Sequence, residues 1–327
     1  MKIVNPATEE MIAHVDEHSV SQIQDAMERL RNGQNTWRQR SVSERLDCIV
    51  RFGQLIDENK EGLAGILTSE TGKPIQQSLN EISGAQNRIV HLQQHAATWL
   101  ATEYVTTEGD TLEQIAYDSL GVIANISAWN FPYNVGYNVF LYALVAGNAV
   151  MYKPSEYATL TGLEFEKYLH LAGVPEDVFQ CVVGGKEVGQ AMLSQDFDGY
   201  FFTGSYATGQ HILKTVAHKM VPVQLELGGK DPLYVMDDVA DVKSAAINAA
   251  EGAFYNNGQS CCAVERIYVH EEIYDEFVEA FVTEVTSYKI GDPREGNTFL
   301  GSLTRKDQIA FLDSQIEDAL SKDALLL

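Results

Sequence analysis

Basic residues are scarce: 23 Lys plus Arg stand against 46 Asp plus Glu, a formal net charge of −23 over 327 residues. Nucleic acid and anionic membrane surfaces both recruit clustered cations, so neither is expected as a main partner. Long apolar stretches are also missing. The longest run, Val139 to Gly147, is far short of the ~20 residues a spanning helix needs. The N-terminus, MKIVNPATEE, has one Lys and no apolar stretch, so no secretory signal is read there. The chain has four cysteines, Cys48, Cys181, Cys261 and Cys262, and no CxxC spacing. A disulfide framework and a metal site are therefore not expected, and a reducing cytoplasm fits best. There is no GxGxxG string, no internal repeat and no low-complexity segment. The balance is ordinary for a globular protein, 45% hydrophobic and 21% charged, with room for two domains.

The first hundred residues carry helical spacing. Val20, Ile23, Met27 and Leu30 recur at three- and four-residue steps, with Ser19 or Ser21 as N-cap. A second helix is expected from Ser43 towards SETGKP, where Gly72 and Pro74 stop it, and a third over 76–100. Residues 101–119 alternate and turn at Gly109–Asp110, which predicts a hairpin. From Gly121 short apolar runs alternate with helical ones: strands at 122–129, 149–155, 178–185, 198–205 and 221–227, with helices between them. This predicts an α/β fold with a parallel sheet covered on both faces, ligands lying at the carboxyl ends of its strands. A second unit follows, with strands at 232–237 and 263–269, helices near 271–288 and 304–321, and a strand beginning in the final DALLL.

Several polar clusters at strand ends carry chemistry. In GQSCCAVER, Cys261 follows a helix stop and precedes a strand. It is either a nucleophile, if its pKa is lowered, or a small buried hydrophobe. In VPVQLELGGK, Gln224 and Glu226 share the face opposite Val223 and Leu225. Glu226 is a general base with a raised pKa or an ion-pair partner. Asn130 in AWNFP can donate to an oxyanion or make an Asx-turn. Lys153 and Glu156 in KPSE suit a ribose diol or a solvated loop pair. GGKEVG and GSYATG lie at strand-to-helix junctions, where helix N-termini bind phosphates, although loop glycines are common.

Together, SETGKP (69–74), AWNFP (128–132), AGNAVMYKPSE (146–156), FFTGS (201–205), LELGGK (225–230) and FYNNGQSCCA (254–263) resemble the NAD(P)-dependent aldehyde dehydrogenase superfamily. The resemblance covers essentially the whole chain. It implies a Rossmann-like cofactor domain, with a helical part at 1–100 and a dinucleotide-binding core at 120–226. It also implies an oligomerisation hairpin at 101–119 and a partial catalytic domain at 227–327. By motif, Cys261 matches the nucleophile, Cys262 a bystander, Glu226 the base for the deacylating water and Asn130 the oxyanion donor. Lys153 and Glu156 match the adenine-ribose contacts. Gly185, Gly204, Ser205 and Gly209 match the dinucleotide phosphate lining, and Trp129 lines the same region. The implied reaction is oxidation of a small-molecule aldehyde to a carboxylic acid, through a thiohemiacetal and a hydrolysed thioester. Glu156 would repel a 2′-phosphate, so NAD is favoured over NADP.

Three features depart from the family pattern. Val139 stands where many members have a lysine, and Ala128 where proline is frequent. No E-x-F-G-P string occurs, and members continue past the equivalent of Leu327 with the rest of the catalytic domain and a strand that pairs with a neighbouring subunit. The chain is therefore read as C-terminally truncated, with homo-oligomerisation open to question and an unpaired sheet edge expected. The alternative reading is an inactive relic, or a binding or structural protein that keeps the motifs. Tyr133, Tyr137 and Tyr255 are read either as tunnel lining or as core.

Overall fold

The computed structural model describes residues 1–327, except for the side chains of Thr107 and Glu108. The chain forms two compact units, the first made of Met1–Ile3, Ala13–Ile66 and Leu79–Leu227, the second of Val4–Ile12, Leu67–Ser78 and Gly228–Leu327. Segments 4–12 and 67–78, read in the sequence with the N-terminal helical part, thus group with the residues after 228. Two short strands, β1 (Lys2–Val4) and β2 (Met11–His14), pair near the N-terminus.

The first unit opens with α1 (Val20–Trp37) and α2 (Val42–Glu58). Ser19, not Ser21, caps α1: its Oγ accepts from Gln22 N–H at 3.2 Å and Gln22 Oε1 accepts from Ser19 N–H at 2.8 Å. The cap of α2 is Ser41, not the expected Ser43. Glu44 stands three residues on, where its carboxylate can reach back to Ser41 N–H at 2.7 Å, and Ser43 falls inside the helix. The long second helix of the sequence reading is broken at Asn59, giving α2 and α3 (Lys60–Thr71), followed by α4 (Ile75–Trp99). Ser19→Ala removes one reciprocal cap and is expected to cost about 1 kcal/mol. In a thermal melt this reads as a fall of about 2 °C.

The expected hairpin is β3 (Glu103–Glu108) with β4 (Thr111–Ile115), turning through Gly109 at φ 61°. Then come β5 (Val122–Ile126), α5 (Pro132–Val145), β6 (Ala149–Lys153), α6 (Thr159–Leu171), β7 (Phe179–Cys181), α7 (Lys186–Leu193), β8 (Gly199–Thr203), α8 (Tyr206–Val216) and β9 (Val223–Glu226). The five strands form one parallel sheet in the order β7-β6-β5-β8-β9. The order runs one way from β5 through β6 to β7 and the other way from β5 through β8 to β9. The topological switch point therefore lies between β5 and β8, where doubly wound sheets open a crevice at their carboxyl ends.

Burial of the central strands on both faces explains their unbroken apolar runs: Val122 to Asn125 and all of β6 are buried. Phe52, Tyr137, Phe140, Tyr152, Phe165 and Phe179 interlock between α2, α5, α6 and the sheet in edge-to-face and tilted pairs. Tyr133 and Tyr137 are fully buried and join this cluster, so they are core residues. Gly121 at φ 135° enters β5. A Cβ there would lie 2.1 Å from Asp198 Oδ2, the oxygen that accepts from Val122 N–H and from Arg31.

In the second unit β10 (Asp231–Val235) and β11 (Val264–Val269) form a parallel pair, with α9 (Val242–Phe254) and α10 (Tyr274–Ser287) packed on it through Val235, Ala246, Ala249 and Phe277. Among the described residues no third strand joins this pair, and Tyr234, Met236 and Tyr268 are exposed. The last helix, α11 (Gln308–Leu320), buries none of its residues. The strand expected in DALLL is absent: the chain turns at 321–323 and ends in irregular, exposed leucines, which no strand among the described residues pairs with. No helix of the described residues is long and apolar enough to cross a membrane.

Candidate active site

Because every strand of the five-stranded sheet is parallel, all carboxyl ends lie along one edge. The candidate residues of the first unit follow from that. Trp129 and Asn130 follow β5, Lys153 ends β6 with Glu156 just beyond, Gly185 follows β7, Gly204 and Ser205 follow β8, and Glu226 ends β9.

Asn130 is half-buried, and its Oδ1 accepts from Phe131 N–H at 3.1 Å. This fixes the side-chain plane in a tight local turn, with the amide NH2 on the opposite side. Trp129 meets Tyr157 edge to face, ring centres 6.3 Å apart, so the ends of β5 and β6 are in contact. Lys153 is only 5% exposed. Its Nζ donates to Pro154 O at 3.3 Å, and burial pulls its pKa down, with Glu156, Cys181 and Glu17 opposing. Glu156 is exposed, and Ser155 Oγ donates to its carboxylate at 3.3 Å.

The glycine segments differ in what occupies them. The amide of Gly185, the N-cap of α7, donates to Glu17 Oε2 at 3.0 Å, so a carboxylate of the protein already holds that helix N-terminus. Ser205 caps α8 by accepting from Thr208 N–H at 3.3 Å. The other first-turn amides of α8 have no intrahelical acceptor, which leaves this helix the better-suited anion site of the two. Gly204 N–H donates to Glu226 O at 3.0 Å, tying β8 to the glutamate strand. At Gly204 a Cβ would come 2.4 Å from the Phe202 ring, and at Gly209 2.6 Å from Leu227. Both glycines are thus required by close packing.

Glu226 is exposed on the face it shares with Gln224, whose Nε2 donates to it at 3.4 Å, while Val223 and Leu225 turn inwards. The alternation expected from the sequence is present; the ion pair of Lys230 is with Glu265 instead.

Cys261 lies in the second unit, on a turn between α9 and β11, with its side chain exposed. Partial desolvation of the thiol pushes its pKa up, and Cys262 adds to the rise. The lowered pKa that would make a thiolate at rest is therefore not a property of this arrangement, and a proton acceptor is needed to activate the sulfur. Cys262 Sγ lies 3.3 Å from Ser260 Oγ. A Cβ on Gly229 would reach 2.9 Å from Cys261 O, so only glycine fits at 229 beside the cysteine turn.

The turn before Cys261 was read in the sequence only as a helix stop. Its backbone is left-handed at three successive residues, Asn256 (φ 55°), Asn257 (φ 58°) and Gly258 (φ 73°). Asparagine and glycine bear this conformation best, which is the signal the string NNG carries. Polar contacts, the first of them buried and the rest partly so, hold it. Asn256 N–H donates to Gln77 Oε1 at 2.8 Å, and Asn256 Nδ2 to Gln259 O at 3.1 Å. Asn257 Nδ2 donates to Ser302 O at 2.9 Å, and its Oδ1 accepts from Gly301 N–H at 2.7 Å. Gln259 Oε1 accepts from Thr304 N–H at 3.0 Å. No sequence pattern points to Gln77 or Thr304, because both partners are distant along the chain.

One further cluster, Asp237, His270 and Glu272, brings three possible metal-ligand atoms within 4.8 Å of one another. Its two carboxylates are exposed, and solvated carboxylates commonly gather without an ion.

The family model described as Aldehyde dehydrogenase family matches residues 1–327. A 3,6-anhydro-α-L-galactose dehydrogenase of Vibrio sp. (strain EJY3) is 33% identical over 336 residues, covering 100% of this chain and 68% of the relative. A solved indole-3-acetaldehyde dehydrogenase complexed with NAD+ is similar at TM-score 0.96 and 30% identity, covering 100% of this chain and 67% of that one. A solved 3,6-anhydro-L-galactose dehydrogenase in complex with NADP reaches TM-score 0.93 at 32% identity, covering 100% and 69%.

Proposed function

The chain belongs to the aldehyde dehydrogenase family and is an oxidoreductase, and from this we propose that it oxidises an aldehyde to a carboxylic acid with NAD as hydride acceptor. The observation that carries the cofactor half of this reading is the common carboxyl edge of the parallel sheet, which gathers Trp129, Lys153, Glu156, Gly204 and Ser205 about one switch point. The residues there fit a dinucleotide: a helix N-terminus for phosphate at Ser205, and a carboxylate suited to a ribose diol at Glu156. Lys153 would hold the adenine ribose alongside Glu156, and Gly209 allows the close packing beside it. The bound nicotinamide supplies the hydride acceptor.

The chain's own residues do the rest. Cys261 Sγ attacks the carbonyl carbon as its proton leaves to a base, and the carbonyl oxygen becomes an oxyanion. Asn130 Nδ2 and the backbone N–H of Cys261 donate to that oxygen. Loss of hydride from the thiohemiacetal leaves a thioester on Cys261. Glu226 then takes a proton from water, which attacks the thioester and releases the carboxylate and the thiol. Exposure of Glu226 is compatible with its contacting water. No observation favours a relic without turnover. The exposed Tyr104, Val105, Leu112 and Ile115 of the β3–β4 hairpin support its role as a homo-oligomer contact.

The test is reduction of cofactor by the purified chain with a panel of aldehydes, NAD and NADP side by side. Turnover with NAD is expected, with kcat/KM roughly fivefold above that for NADP, because a like charge beside the 2′-phosphate costs on the order of 1 kcal/mol even when solvated. Glu156→Gln should narrow the ratio. Absence of turnover with every aldehyde would remove the proposal; equal efficiency with NADP would remove the cofactor choice.

A further inference from the structure

Gln77 is 4% exposed and lies 184 positions before Cys261, yet its amide touches the cysteine turn. Oε1 accepts from Asn256 N–H at 2.8 Å, and Nε2 donates to Phe299 O at 2.9 Å. One buried amide therefore joins two chain segments. The first is the left-handed Asn256–Asn257–Gly258 turn that leads into Cys261. The second is the 299–304 loop, which returns to the same turn through Ser302 O, Gly301 N–H and Thr304 N–H. Thr304 in turn donates through Oγ1 to Thr71 O, in the segment that carries Gln77.

We infer that Gln77 is a positioning residue for Cys261, acting through the Asn256 N–H. The inference rests on Cys261 being the nucleophile. Left-handed backbone at two successive asparagines is costly, and it persists only where surrounding contacts over-determine it. Asn256 is 1% exposed, so water cannot readily replace Gln77 as acceptor of its N–H. Without that acceptor the turn relaxes towards a conformation in which the amide is satisfied. The sulfur five residues on then moves relative to the groups it must meet, and a displacement of about 1 Å is enough to cost about 100-fold in rate.

Gln77→Met keeps the side-chain volume and removes both hydrogen bonds. It is expected to lower kcat by about 10- to 100-fold with KM for NAD within about twofold, because no cofactor residue depends on it. Alkylation by iodoacetamide, followed by mass spectrometry of the peptide containing Cys261, should show a changed rate and a shifted pH midpoint. If the Met protein does not fold, Gln77→Asn, whose shorter amide cannot span both partners, is expected to show the same change with about a tenfold loss of kcat. A lower melting temperature with parental kcat, alkylation rate and pH midpoint would make Gln77 a packing residue only and overturn the inference. Cys261→Ser, measured in parallel, tests the underlying assignment separately. Full turnover in it would reject the nucleophile, whereas the alkylation profile reads the effect of Gln77 on the sulfur whether or not turnover occurs.

Discussion

Cys261→Ala is expected to lower kcat by about 10⁴-fold or more, since a covalent mechanism has no second route once its nucleophile is gone. Cofactor binding should stay within about twofold, because the residues proposed to hold NAD follow strands of the other unit. The neighbouring Cys262 provides the control. Both thiols are exposed, and Cys262 Sγ is in contact with Ser260 Oγ. Cys262→Ala should therefore keep turnover within about threefold of the parent. Reversal of the two results would exchange the roles of the cysteines. A pH profile sharpens the test. Desolvation holds the Cys261 thiol above the ordinary range, so its alkylation in the absence of cofactor should rise with pH through that elevated pKa, with little thiolate at neutrality. Fast alkylation already at neutral pH would contradict the raised pKa.

Glu226→Gln should separate the two halves of the reaction. Acylation and hydride loss do not use Glu226 in the proposed scheme, so a first burst of NADH approaching one equivalent per chain is expected to survive. Hydrolysis then lacks its base, and steady turnover should fall by about 10²- to 10⁴-fold. Rapid mixing with excess aldehyde resolves the burst from the steady phase. Glutamine is close to isosteric, and the side chain is exposed at the end of β9, so stability should change little. Steady turnover at the parental rate would remove Glu226 as base. Loss of the burst as well would mean that Glu226 also activates Cys261, which the raised thiol pKa makes a specific alternative.

The legible part of the fold was the part written in local period. The central strands β5 and β6 are announced by short apolar runs, because burial on both faces demands apolar residues at successive positions, whereas the edge strand β9 alternates. Boundaries were less legible. The sequence starts the second helix at Ser43, whereas the cap is Ser41, to which Glu44 reaches back, and Asn59 gives no warning of the break between α2 and α3. Of the candidate site, the residue types and their places at strand ends were readable, since motif spacing is local. What occupies a helix N-terminus was not: Glu17 reaches the Gly185 amide from 168 residues away.

By itself the sequence determined the strand and helix alternation of the parallel sheet and which side chains stand at its strand ends; it did not determine the β1–β2 pair, the break at Asn59 or the irregular end of the chain. The tertiary structure alone decided the order β7-β6-β5-β8-β9, and with it the switch point between β5 and β8. It alone decided that Tyr133 and Tyr137 are core, and that Gln77 serves a turn 179 residues later in the chain. The reason is physical. Periodicity, caps and turn preferences act over a few residues and are inscribed in order along the chain. Strand neighbours and buried hydrogen-bond partners are chosen by the joint requirement to bury apolar faces and satisfy every buried polar group, which only the assembled unit imposes.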